Sequence, residues 1–110
     1  WRSVSLGLMG YREGNYARAA DWCHRCLNFP EYIAPRTATA YVILAMSDQR
    51  LGKTDDARSE LARARSLIDN KFKYALDSGT PMQGFWFDWV FARILLQEAV
   101  PLVEGASPLR

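Results

Sequence analysis

The residues best suited to chemistry are Cys23-His24-Arg25-Cys26, a C-x-x-C pair enclosing the only histidine of the chain. Zinc takes four ligands, and no second C-x-x-C or His pair is present to complete a site. Covalent haem attachment requires His directly after the second Cys, and Leu27 stands there. A redox-active pair of the thioredoxin kind needs a βαβ context that this helical sequence lacks. Both Cys fall on the apolar side of a helix, so they read as reduced thiols packed in a core. His24 lies on the adjoining, more exposed side of that helix. Neither a metal nor any other cofactor is expected.

The carboxylates offer no acid–base pair. Asp55-Asp56 read as charges at the positive end of a helix dipole. Asp88, between Trp86 and Trp89, must reach solvent or find a partner, because an unpaired buried charge is costly; it reads as a cap or a buried pair. There is no Gly-rich phosphate loop, no Ser-x-x-Lys and no Gly-x-Ser-x-Gly, so the chain itself is not expected to be an enzyme. Arg58, Arg63, Arg65, Lys71 and Lys73 form a basic stretch that reads as a solvated face. Fourteen Lys and Arg against twelve Asp and Glu give 110 residues a net charge of +2, too little for a nucleic-acid binder or a membrane-surface protein.

The elements that carry these residues repeat. A shift of 38 positions aligns Leu6 with Leu44, Gly7 with Ala45, Arg12 with Arg50 and Gly14 with Gly52. It also aligns Ala19 with Ala57, Cys23 with Leu61 and Cys26 with Ala64. Small residues recur where a unit docks twice in the same way. Each unit reads as two helices about a tight turn. Trp1–Glu13 carries Val4, Leu8 and Tyr11 at helical spacing, Gly14 ends it, and Asn15 caps a second helix to about Asn28. In the second unit Pro35 opens a helix, and Tyr41, Leu44, Ala45 and Asp48 follow at helical steps. Gly52 closes that helix, and Thr54 is expected to cap the next. Glu60 and Arg63 are spaced to pair on its solvent face. Asp77-Ser78-Gly79-Thr80-Pro81 reads as a loop. A helix over about 84–104 follows, apolar on nearly every side and so covered on more than one, with Pro101 expected to bend or end it. Asp88, Arg93, Gln97 and Glu98 interrupt it too often for a membrane span.

Leu6-Gly7, Gly14-Asn15-Tyr16, Ala19, Cys23, Cys26-Leu27 and Pro30 in one copy, with Tyr41, Leu44-Ala45, Gly52, Ala57, Leu61 and Ala64 in the other, resemble the tetratricopeptide repeat (TPR). The likeness covers about residues 3–69. It departs in its period, 38 residues here against about 34 in the family, and in Ser3, where a large residue is usual. The resemblance implies an all-α, α-α superhelix: repeat 1 over about 1–29, repeat 2 over about 35–69 and a long C-terminal capping helix, all in one domain. Trp86-Phe87-Asp88-Trp89 with Ala92-Arg93-Ile94-Leu95-Leu96-Gln97-Glu98-Ala99 is similar to the segment closing the TPR regions of bacterial eukaryotic-like serine/threonine kinases and related WD-repeat proteins. With Trp1 at its start, the chain reads as part of a larger protein, such as a signalling kinase.

The resemblance further implies a protein-binding scaffold whose concave face presents Val4, Leu8, Tyr11, Arg12, Val42, Met46, Gln49 and Arg50. The Lys–Asn pattern that clamps a terminal carboxylate in one TPR subclass is missing. The expected partner is therefore an amphipathic helix or a neighbouring repeat. The alternative is a passive spacer or homodimer joined through Trp86, Trp89 and Arg93. Two core-type thiols and no export signal suit the cytoplasm.

Overall fold

The computed structural model describes residues 1–74 and 86–105. Among these the chain is helical with no strand: α1 (Arg2–Arg12), α2 (Tyr16–Leu27), α3 (Ala34–Arg50), α4 (Thr54–Tyr74) and α5 (Trp86–Val103). The Asp77–Pro81 segment, expected as a loop, lies outside the described residues.

The two tight turns are the same structure repeated 38 positions apart, down to the backbone bonds. Gly14 and Gly52 have φ of +84° and +83°, the left-handed conformation that glycine adopts without a Cβ clash. Asn15 N–H donates to the Gly10 carbonyl at 2.8 Å, and Lys53 N–H donates to the Asp48 carbonyl at 2.8 Å. Gly14 N–H reaches the Tyr11 carbonyl at 3.0 Å, and Gly52 N–H the Gln49 carbonyl at 3.2 Å. These are the paired bonds by which a Schellman turn satisfies carbonyls at a helix end.

Asn15 caps α2 as expected, its side chain accepting from Arg18 N–H at 3.4 Å. The matching expectation for Thr54 is corrected. The Lys53 carbonyl accepts the first bond of α4, from Ala57 N–H at 2.9 Å, so Lys53 holds the cap position and Thr54 is already helical. Past Asn70, α4 continues to Tyr74, because Ile68 and Phe72 extend its apolar side. Pro101 does not end α5, which continues to Val103; proline that close to the terminus removes one hydrogen bond without stopping the last turn.

Helix α3 is the centre of the molecule. It packs on α1, α2, α4 and α5, and the triangle of contacts α1–α2–α3 is repeated by α3–α4–α5. Close approach depends on small residues: Gly7, Ala19, Ala45, Ala57 and Ala64 are all buried. A Cβ on Gly7 would stand 3.2 Å from Cys23 Sγ and 3.4 Å from the Ala19 carbonyl oxygen, so glycine sets the distance between α1 and α2. Ile43, Leu44, Met46, Leu61, Ile68, Leu95 and Val103 fill the interior between the small contacts.

Candidate functional site

The eight residues expected on a concave face divide into two sets. Val4, Tyr11, Val42 and Met46 are in the core, at 2%, 7%, 0% and 0% exposure, and cannot touch a partner in this structure. Packing on four sides of α3 leaves its apolar positions no open face. Leu8 and Gln49 are half-buried, and Arg12 and Arg50 are exposed.

Those two arginines are already engaged. Arg12 grips Glu98 of α5 with both amino groups, Nη2 donating to Oε1 at 2.6 Å and Nη1 to Oε2. The hydrogen-bonded guanidinium lowers the Glu98 carboxyl below its ordinary pKa, against a smaller opposing effect of burial. Arg50 Nε donates to the Tyr11 hydroxyl at 3.4 Å, and the Tyr11 ring meets Tyr16 with centroids 5.4 Å apart. The set ties α1 to α3 and α5 in a polar rim.

Of the three residues expected at a self-contact on α5, Trp89 is corrected, while Arg93 is exposed. Trp89 is 3% exposed, with Lys71 Nζ 6.0 Å from its ring centroid. Arg93 lies over Phe72 at 4.4 Å. The Trp86 side chain is outside the described residues. Phe87, Phe91 and Ile94 are 54%, 41% and 57% exposed. The positions i, i+4 and i+7 put them on one face of α5, roughly opposite the buried Trp89, Ala92, Leu96 and Ala99.

The basic stretch lies at the surface as expected, and part of it also braces neighbouring helices. Arg63 donates to the Tyr41 hydroxyl at 3.2 Å and lies over its ring, and Arg65 pairs with Glu104 at 2.9 Å. Arg58 is exposed, and the Lys73 side chain is outside the described residues. Because Arg63 turns to Tyr41, the pair with Glu60 does not form, and Glu60 lies half-buried rather than on the solvent face.

Cys23 and Cys26 are buried free thiols. Burial raises the pKa of both; at Cys26 the nearby Arg36 charge only partly opposes it. Protonated buried thiols are poor nucleophiles and poor metal ligands. His24 is exposed, as expected. Asp55 and Asp56 stand in the first turn of α4 and Asp88 in that of α5, where the helix dipole favours them. Among the described residues no three His, Cys, Asp or Glu side chains are grouped to hold a metal, and no helix is long and apolar enough to cross a membrane.

Two features escaped the sequence reading. Asp48 is 4% exposed and lies against Glu60 across the α3–α4 contact. Burial first, then a hydrogen bond with Asp48 and the charges of Asp48 and Asp56, push the Glu60 carboxyl up to about 9, against Lys53. The signal was present in Asp48, which shares helical steps with Leu44 and Ala45 and so belongs to a covered face. The second is Arg36, 7% exposed in the first turn of α3. Its position directly after Pro35, at a helix start with no acid, was the available clue.

Family models, curated proteins and solved structures yield no match to this chain.

Proposed function

We propose that this chain is a non-catalytic interaction module of TPR type, whose stacked helices present the outer face of α5 to an amphipathic helix of a protein partner or of a neighbouring repeat. The repeated contact triangle with its 38-residue period of small residues supports the architecture. The observation that carries the binding reading is the exposed apolar stripe through Phe91 and Ile94. Apolar side chains at i, i+3 or i+4 and i+7 are how one helix seats another, and grouped exposed apolar residues mark such surfaces. The interaction face thus moves from α1 and α3 to α5. On the resemblance of the Trp86–Ala99 segment, the module belongs to a signalling protein such as a serine/threonine kinase. The protonated thiols suit the reducing cytoplasm.

The test is a titration of the labelled chain with an amphipathic helical peptide, read by amide chemical shifts, alongside sedimentation over a range of concentrations. Saturable shifts centred on Phe91 and Ile94, lost in Phe91→Glu and Ile94→Lys variants that keep the wild-type helix content, are the expected result. Self-association abolished by Ile94→Lys instead favours the homodimer alternative, which would use the same stripe. No peptide-induced shift on α5 together with a monomer at every concentration overturns both.

A further inference from the structure

Arg36 is placed where three physical preferences are violated at once. Its side chain is buried, although a buried guanidinium ordinarily has a carboxylate partner. It stands in the first turn of α3, the positive end of the dipole, where an anion is favoured and a cation is not. That helix start has no acidic residue in its first turn and no side-chain cap on Ile33. Nη2 donates to the Glu31 backbone carbonyl, the Phe29 ring lies 5.3 Å from the guanidinium carbon and the Cys26 thiol lies beside the group, but Nε, itself buried, has no hydrogen-bond partner. No carboxylate pairs with Arg36 among the described residues.

The side chain fronts a cleft of about 250 Å3 lined by Trp1, Arg2, Ser3, Cys26, Phe29 and Arg36. Two of these six are cations and none is an acid. Trp1 and Phe29 provide aromatic walls, 39% and 58% exposed, and the lining is more apolar than polar. A fully hydrated dianion does not suit such walls. A single negative charge on a flat apolar body does: a carboxylate matches the planar donors of a guanidinium, and the attached ring or chain lies against the indole and phenyl faces. The missing counter-charge and the shape of the cleft therefore call for the same molecule.

We propose that the cleft between the start of α1, the end of α2 and the start of α3 is a binding site for a carboxylate carried on an apolar or aromatic body, with Arg36 as its buried counter-ion and Phe29 and Trp1 as its walls. This site is separate from the α5 stripe and does not depend on the function proposed for that face. The carboxylate has two possible sources, a free small acid or an acidic side chain beside an aromatic residue in a peptide.

Titrations of the chain with sodium benzoate, with a capped Phe-Glu dipeptide amide and with inorganic phosphate, at matched ionic strength, distinguish these. The readouts are the Arg36 Nε–H resonance and the amide signals of Phe29 and Cys26. Benzoate or the dipeptide is expected to move all three saturably, and whichever binds more tightly identifies the source. Phosphate is expected to bind about tenfold more weakly or not at all. Arg36→Met keeps an unbranched apolar stem, though a shorter one, and removes the charge; it should weaken benzoate binding by about tenfold or more. The wild-type Arg36 resonance decides the matter even if that variant does not fold. An Arg36 signal indifferent to both carboxylates, equal binding by Arg36→Met, or phosphate binding as tightly as benzoate overturns the proposal.

Discussion

Replacing Glu60 by Gln should remove a pH dependence that the fold builds into the α3–α4 contact. In the folded chain the Glu60 carboxyl is pushed up from 4.5 to about 9, chiefly by burial and then by Asp48. The groups facing it are Asp48 on α3, Lys53 in the turn, Asp56 and Arg63 on α4, and Cys23 and His24 on α2. A carboxyl held neutral in the native state and ionised when unfolded binds more protons folded than unfolded across that interval, so stability falls as pH rises. Its contribution is fully present below 4.5 and is lost as pH climbs through about 9. At 1.36 kcal/mol per pH unit the full interval corresponds to about 6 kcal/mol. Glu60 is only half-buried and lines an open surface cleft, where screening removes most of that and leaves about 2 kcal/mol. Urea unfolding followed by tryptophan fluorescence between about pH 5 and 9 should show the wild-type midpoint falling by about 1 M, with an unchanged slope. Glu60→Gln keeps the volume and puts an uncharged amide in place of the carboxyl, and should hold a nearly constant midpoint, crossing above the wild type at the alkaline end. Both chains are best compared in a His24→Asn background, which removes the imidazole lining the same cleft. A wild-type midpoint flat with pH, or an identical decline in the Gln variant, would refute the assignment of the titration to Glu60.

Gly7→Val should destabilise the chain by about 1–3 kcal/mol in thermal or urea unfolding, since even its Cβ meets Cys23 Sγ at 3.2 Å and the branches must displace α2. Arg12→Ala should cost only about 0.5 kcal/mol at low salt and less at high salt, because the two side chains of its pair with Glu98 are 50% and 40% exposed. The depressed Glu98 carboxyl sets the sign of its pH dependence: the pair's contribution is present above the ordinary carboxylate range and disappears as pH falls through the lowered folded value. Unfolding midpoints of wild type and variant that stay apart at acid pH would contradict that link.

The helix pairs were legible because their signals are local. A glycine at positive φ, an Asn at a helix start and an alanine every turn or so report on backbone geometry that needs only a few neighbouring residues. Thr54 shows the limit of such reading: a good capping type stood one residue inside the helix it was expected to cap. Cys23 and Cys26 were placed correctly in the core because they align with Leu61 and Ala64, and all four are buried. The site residues fared differently. Val42 and Met46 were assigned to an open groove, yet α3 is enclosed by four helices and both are at 0% exposure. Trp89 was assigned to a surface contact and is core, while Phe91 and Ile94 of the same helix are exposed.

By itself, then, the amino-acid sequence determined the helical class, the 38-residue period, the two glycine turns and the small residues at which helices approach. Those depend on chirality, capping and side-chain size within one or two turns of chain. Only the tertiary arrangement decided which faces are covered, and with that the pairing of Arg12 with Glu98, the pressing of Glu60 against Asp48 and the burial of Arg36 without a carboxylate. Periodicity groups residues onto a common face, but whether that face meets solvent or protein depends on which distant helix lies beside it. Charge and exposure, the properties that make a site, are therefore set by packing between helices rather than by spacing along them.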